Sequence, residues 1–419
     1  MKASRVGQKL GGNAGITQLM DDLGKAMSVN RRMLMLGGGN PGHIPEIQTI
    51  FRQRMQDILD DGDSFERMIG NYGPPQGDPI FTGALASLLQ REFGWAVGPE
   101  NIAVTNGSQS ASFMLFNLFA GESDSGEPGN ILLPLAPEYI GYSDQGLCDD
   151  FFVAARPNIE HLDGHLFKYR VDFNAIHVGN HTAAICVSRP TNPTGNVLTD
   201  GEVARLMKLA GDHDLPLIID SAYGTPFPNI IFTDARPFWN DNVVVCMSLS
   251  KLGLPGVRTG IIIAREEIIK ALSGINAVLN LTTGGFGPAL ALKLIERGDI
   301  IRISRDIIRP FYREKAERSV ELLCSELEGY DFHVHKPEGA IFLWLWFRDL
   351  PVTSQDLYER LKARGVLVIP GHHFFPGLMD NWRHKHECIR VTYSQDQAVV
   401  DAGIKIIAEE VRKAYDGDE

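Results

Sequence analysis

The feature that most narrows the fold is a rhythm between about residues 75 and 310, where short apolar runs alternate with helical stretches. The runs at 102–105, 130–135, 183–188, 216–220, 243–248 and 260–264 show no polar alternation and are too short for helices. A strand that is apolar along its whole length must be covered on both faces, as happens in a mostly parallel sheet flanked by helices. Helical patterns at 84–93, 110–119 and 201–211 fall between these runs. The expectation is an α/β domain built on a mostly parallel sheet of seven-stranded type.

Past residue 310 the texture changes. A charged helix at 311–327 precedes a strand at 341–347, a helix at 354–364, strands at 366–369 and 388–393, and a last amphipathic helix at 396–415. That order reads as a smaller α+β domain. The expected division is a segment 1–50 packing with the small domain, a large domain 51–310 and a small domain 311–419. The Gly-, Ser- and Glu-rich stretch 121–129 reads as a surface connection.

Composition excludes other classes. The 419 residues carry 40 Lys and Arg against 52 Asp and Glu, a net charge of −12, with 44% hydrophobic and 22% charged residues. These proportions are those of a folded globular protein, and the acidic balance argues against nucleic acid or an anionic membrane as main partner. Cys148, Cys186, Cys246, Cys324 and Cys388 are odd in number and contain no Cys-x-x-Cys, so reduced thiols are expected. The first fifteen residues lack the apolar core of a signal peptide, and no stretch reaches the roughly 18 apolar residues of a span. A cytoplasmic location is expected.

Ligands of open α/β sheets bind beyond the carboxyl ends of the strands, so the residues there carry the chemistry. After 102–105 comes Asn106-Gly-Ser-Gln-Ser-Ala111, a polar turn opening a helix, where N–H groups, the Ser108 hydroxyl and the Gln109 amide suit a phosphate or an ordinary cap. After 183–188 comes Arg189-Pro-Thr-Asn-Pro-Thr-Gly195, in which two prolines fix the backbone around Asn192. The run 216–220 ends in Asp220, with Tyr223 three residues on; a carboxylate there needs a partner. The run 243–248 leads into Ser248-Leu-Ser-Lys251, and Arg258 follows among glycines. A lysine framed by Ser248, Ser250 and Arg258 suits a desolvated amine beside a phosphate site, its pKa lowered by the neighbouring cation. Tyr139, in Pro134-Leu-Ala-Pro-Glu-Tyr-Ile-Gly-Tyr142, can stack on a planar ring. Together these pieces match the needs of pyridoxal 5′-phosphate: a lysine for the aldehyde, an Asp for the ring nitrogen, and donors for phosphate and ring oxygen.

With those motifs in view, the chain resembles the class I/II pyridoxal-phosphate aminotransferases of fold type I, through Ser248-Leu-Ser-Lys251…Gly256-Val-Arg258, Asp220 with Tyr223, and Asn192-Pro193. The resemblance implies Lys251 as Schiff-base residue and proton shuttle, Asp220 as partner of the pyridine nitrogen, and Asn192 and Tyr223 as donors to the ring oxygen. It implies Ser108, Gln109, Ser248, Ser250 and Arg258 as phosphate ligands. Arg390, in Cys388-Ile-Arg-Val-Thr-Tyr393, falls where the family grips the substrate carboxylate, with Gly39 and Asn40 beside it. Tyr72, in Asn71-Tyr-Gly-Pro-Pro-Gln-Gly77, matches a tyrosine reaching across a homodimer to the other copy's phosphate.

Segments such as Lys336-Pro-Glu-Gly-Ala-Ile-Phe-Leu-Trp-Leu-Trp-Phe347 and Pro370-Gly-His-His-Phe-Phe-Pro-Gly377 resemble the branch of that family pairing L-valine with pyruvate. The implied reaction is ping-pong transamination giving 3-methyl-2-oxobutanoate and L-alanine. Other aliphatic or aromatic amino acids, or a lyase reaction on the same fold, remain open. His372, His373, His384, His386 and Cys388 match no standard zinc spacing, and no metal is expected.

Overall fold

The computed structural model describes residues 3–11, 24, 33–122 and 126–417. Residues 12–23 and 25–32 of the expected N-terminal segment, and 123–125 of the 121–129 connection, lie outside them. Among the described residues no helix is long and apolar enough to cross a membrane.

The central sheet has eight strands. Its main path runs Ile102–Thr105, Gly260–Ile263, Val243–Ser248, Leu217–Asp220, Thr182–Ser188, Pro128–Leu133 and Gly121–Glu122, with Phe152–Ala154 also pairing onto Pro128–Leu133. The middle of the path is parallel, while Gly260–Ile263 runs antiparallel to both neighbours. The short Gly121–Glu122 strand pairs antiparallel with Pro128–Gly129, so the described ends of the expected surface connection pair with each other. Alternate side chains serve two cores. Val244 and Cys246 face the helices Ser108–Phe119 and Glu266–Asn280, while Val243, Val245 and Met247 face the opposite core. Burial on both sides accounts for the unbroken apolar runs. All five cysteines are free.

The second sheet has six strands, in the order Ile369–Pro370, Cys388–Thr392, Phe342–Phe347, Phe332–His335, Leu166–Arg170 and Asn158–His161. The last two come from the middle of the expected large region and attach through parallel pairing of Leu166–Arg170 with Phe332–His335. The helices Arg309–Glu326 and Gln397–Asp416 pack against each other, and Gln397–Asp416 also meets Leu34–Met35 and Val366–Leu367.

The N-terminal residues divide between the two regions. Leu34–Met35 pairs with Val366–Leu367, Gly42 N donates to Tyr312 Oη at 2.8 Å, and Ser394 Oγ donates to the Asn40 carbonyl at 2.7 Å. The helix Arg5–Leu10 departs from the expected packing with the small domain. Its Arg5 and Lys9 reach Asp149 and the Cys148 carbonyl beside the large sheet, where opposite charge draws them.

A buried ion pair joins the regions. Lys168 Nζ donates to Glu338 Oε2, to Asn196 Oδ1 at 3.0 Å and to the Val197 carbonyl at 3.0 Å, and both charged side chains are almost wholly buried. Glu338 also accepts from Val197 N at 3.1 Å. The pair therefore pins the 191–197 loop beneath the site. Glu338→Gln should leave the lysine charge without its counterion and cost about 3–5 kcal/mol in urea unfolding. A loss under about 1 kcal/mol would mark the pair as a bystander.

Candidate active site

Strand order decides which side chains meet. Pro128–Leu133, Thr182–Ser188, Leu217–Asp220 and Val243–Ser248 lie side by side and parallel. Beyond their carboxyl ends therefore stand Tyr139, Asn192, Asp220 with Tyr223, and Ser248 to Lys251. Arg258 arrives at the start of the antiparallel neighbour, next to the turn leaving Ile102–Thr105. Ser108, Gln109, Tyr139, Asn192, Asp220, Tyr223, Ser248, Ser250, Lys251, Arg258, Arg390 and Gly39 all line one cavity of about 220 Å³.

Lys251 is half-buried. Its Nζ donates to the Gly39 carbonyl at 2.5 Å and sits 5.1 Å from the Tyr223 ring centre. Burial first, then the charges of Arg390 and Arg258, bring its pKa down to about 7, against the opposing pull of Asp220. An amine in that range is available as free base at neutral pH, as a nucleophile and proton carrier requires.

Asp220 ends its strand with both oxygens engaged. Tyr142 Oη donates to Oδ2 at 2.7 Å, and Ala222 N donates to Oδ1 at 2.9 Å. Burial raises its pKa, and the two hydrogen bonds and Lys251 oppose the rise. An anion so placed is matched by a cationic ring nitrogen.

Arg390 is buried. Its Nη1 donates to Asn192 Oδ1 at 2.7 Å and its Nη2 to the Gly37 carbonyl at 2.6 Å, while Nε has no partner among the described residues. Its guanidinium lies 4.1 Å from the Phe342 ring centre and 5.1 Å from that of Phe374. Burial lowers its pKa to about 10, so it stays charged at neutral pH. With its Oδ1 turned to Arg390, the Asn192 amide has its nitrogen left to donate. A planar fork held between two rings suits a carboxylate taken bidentately.

The residues also fit a phosphate-bearing ring. Gly107 takes φ +96°, and a Cβ there would sit 2.2 Å from Arg258 Nη2, so glycine is what lets the guanidinium close on the helix start at Ser108. That gives a cation, the Ser108, Ser248 and Ser250 hydroxyls and N–H groups at one end of the cavity. Gln109 lines that end too; its Nε2 donates to the Gly141 carbonyl at 3.3 Å, and its Oε1 is buried without a partner among the described residues. Asp220 and the Lys251 amine lie along the same cavity, and Tyr139 is a stacking surface on its wall.

A scan against family models matches residues 51–407 to "Aminotransferase class I and II". The chain belongs to that family. It is 52% identical over 415 residues to the valine–pyruvate aminotransferase of Escherichia coli, covering 99% of each chain. A crystal structure of valine–pyruvate aminotransferase from Salmonella typhimurium superposes with a TM-score of 0.88 at 51% identity, covering 96% of this chain and 99% of that one. A putative amino-acid aminotransferase from Psychrobacter arcticum superposes at 0.97 with 48% identity and full coverage of both. The fold of this aminotransferase is therefore fold type I, and its substrates are amino acids and keto acids.

Two nominated residues stand outside the cavity. Asn40 lines an adjoining space of about 580 Å³ that also meets Lys251, and its carbonyl is tied to Ser394. Tyr72 is 83% exposed, which suits a residue whose partner lies on another copy. Conversely, Gly37, Ile140, Ser188, Pro190 and Ala222 line the cavity without having been nominated. Ser188 ends an expected strand, Ile140 and Ala222 adjoin Tyr139 and Tyr223, and Pro190 stands two residues before Asn192, so strand ends are the available signal. His384 stacks on Trp382 and contacts Tyr169 inside the small region, away from this site.

Proposed function

We propose that this aminotransferase transfers an amino group from L-valine to pyruvate, yielding 3-methyl-2-oxobutanoate and L-alanine, with pyridoxal 5′-phosphate as cofactor. The observation that carries the reading is the convergence of Lys251, Asp220 and Arg390 on one small cavity. The cofactor, when bound, supplies an aldehyde for the amine and a ring that takes up electrons.

The chain's own groups would do the rest. Arg258 and the Ser108, Ser248 and Ser250 hydroxyls would hold phosphate, joined by Gln109. Asp220 would keep the ring nitrogen protonated, while Asn192 and Tyr223 would donate to the ring oxygen and Tyr139 would stack. Arg390 would fix the substrate carboxylate, with the Gly39 and Asn40 segment alongside. Lys251, once displaced, would carry the proton between the substrate carbon and the cofactor.

Substrate class follows from charge. Among the described residues lining this cavity the cations are Lys251, Arg258 and Arg390. Each has a task, so a side-chain carboxylate finds no partner, whereas Ile140, Ala222 and Pro190 offer an apolar wall. Discrimination between aliphatic side chains is modest. L-Aspartate should therefore be a poor donor and L-valine a good one.

Tyr72 supports a homodimer with shared sites. Ile69, Tyr72, Val278, Leu279 and Leu281 are exposed, and a Cβ at Gly73 would sit 3.5 Å from Thr282 Oγ1, so the two segments adjoin. Gly284 N in turn donates to Asn106 Oδ1 at 3.2 Å, beside the phosphate turn. A second copy covering that apolar patch would bring its Tyr72 toward the cavity.

The test is an absorption titration of the purified protein with L-valine, then pyruvate. A lysine-bound cofactor band that converts and reverts is the expected result. A band indifferent to valine would overturn the substrate pair, and absence of any band after adding pyridoxal phosphate would overturn the role of Lys251.

A further inference from the structure

We propose that Glu138 is a positioning residue for Asp220, acting through Ser188 and Tyr142; this rests on the reading of Asp220 as partner of the ring nitrogen. Glu138 does not line the cavity and is 1% exposed, and among the described residues no cation pairs with it. Its carboxyl is nevertheless fully engaged. Ser188 N donates to Oε1 at 2.8 Å, and Ser188 Oγ lies 2.5 Å from Oε2. Ser188 Oγ is also 3.4 Å from Tyr142 Oη, which donates to Asp220 Oδ2 at 2.7 Å.

The sheet builds this chain of groups. Ser188 and Asp220 are Cα partners across two parallel strands, and Glu138 follows the next strand over. Two carboxyl groups thus sit on either side of the Thr182–Ser188 strand end, with one serine and one tyrosine between them. The other titratable groups facing Glu138 are Tyr139, Tyr142 and Cys186, none of them cationic.

Two like charges in such surroundings do not both ionise easily. Burial is the main reason that the Glu138 pKa is pushed up to about 8, with Asp220 adding to the rise and Ser188 opposing it. In its neutral form Glu138 has a proton to give. Its hydroxyl can donate to Ser188 Oγ, Ser188 to Tyr142 Oη, and Tyr142 to Asp220, so that every link points toward the one anion. Ionisation of Glu138 turns the Ser188 hydroxyl back and places a second negative charge behind Asp220. The ring-nitrogen environment then changes without any change in a group that touches the cofactor.

The experiment is a spectrophotometric pH titration of the bound cofactor in the holoenzyme, across the neutral and mildly alkaline range, without substrate. Glu138→Gln keeps the shape and cannot ionise; it should move the alkaline midpoint by about one pH unit, tenfold in proton affinity. Ser188→Ala leaves Glu138 and the Tyr142–Asp220 bond in place but cuts the chain between them, and should move the midpoint similarly. The double variant should shift no further than either single one, since both remove the same coupling. Superimposable wild-type and Glu138→Gln profiles, or additive shifts, would overturn the proposal. Should Glu138→Gln fail to fold by circular dichroism, Ser188→Ala carries the test: a shifted midpoint supports it, a wild-type profile overturns it. A wild-type protein with no cofactor band would instead overturn the reading of Asp220 itself.

Discussion

Lys251→Ala is expected to lower transamination by at least about 10⁴-fold, because one side chain supplies both the nucleophile and the mobile proton. The amine stands near Arg390, Arg258 and Asp220, and it donates a hydrogen bond to the Gly39 carbonyl. Steady-state keto-acid formation is the measurement, and retained turnover would falsify the assignment. Folding should not suffer. In the unfolded chain the lysine takes up its proton below 10.5, whereas the folded apoprotein does so only below about 7. The folded state therefore binds fewer protons in that window, a penalty that grows as pH falls through it and is complete below about 7. Removing the lysine should make the apoprotein more resistant to heat at pH 7 and below. Cofactor capture by the wild-type apoprotein should follow the opposite sense, slowing as pH falls through about 7 and the attacking amine is protonated.

The second large effect is expected at Arg390. A substrate carboxylate held by two charge-assisted bonds, at about 1.5–3 kcal/mol each, is worth about 10²- to 10⁴-fold in kcat/KM at about 1.4 kcal/mol per tenfold. Arg390→Ala should lose that amount while the cofactor band survives, since Arg390 is not among the proposed phosphate ligands. Arg390→Lys keeps a charge but loses the planar fork between Phe342 and Phe374, so it should recover only a small part. Arg390→Ala leaves Asn192 Oδ1 without its 2.7 Å donor. Thermal melts with and without cofactor separate that local loss from the catalytic one. A kcat/KM within about threefold of wild type for Arg390→Ala would remove Arg390 from the site.

The strands of the large sheet were legible because burial on both faces demands unbroken apolar runs. The expected 243–248 run is the observed strand, and 102–105 likewise. Residues closing those strands could be nominated because a polar group at the end of a buried strand requires a partner. Leu166–Arg170 was not legible: Lys168 lies in its middle, and a charge there reads as solvent-exposed. What buries it is Glu338, 170 positions along the chain.

Glu138 passed unnoticed for a related reason. In sequence it is one residue of a Pro-rich turn, 82 positions from Asp220, and nothing local says that the two carboxyls share a neighbour. The order of strands within the sheet puts Ser188 between them, and that order is set by which faces pack together over the whole domain. Sequence by itself determined the element types, the lysine and arginine motifs and the family they resemble, since these depend on local pattern and residue chemistry. Tertiary structure decided which strand ends stand side by side, how far Lys251 is stripped of water, and which buried charges find a partner. Those are properties of desolvation and distance, and neither exists until the chain has closed on itself.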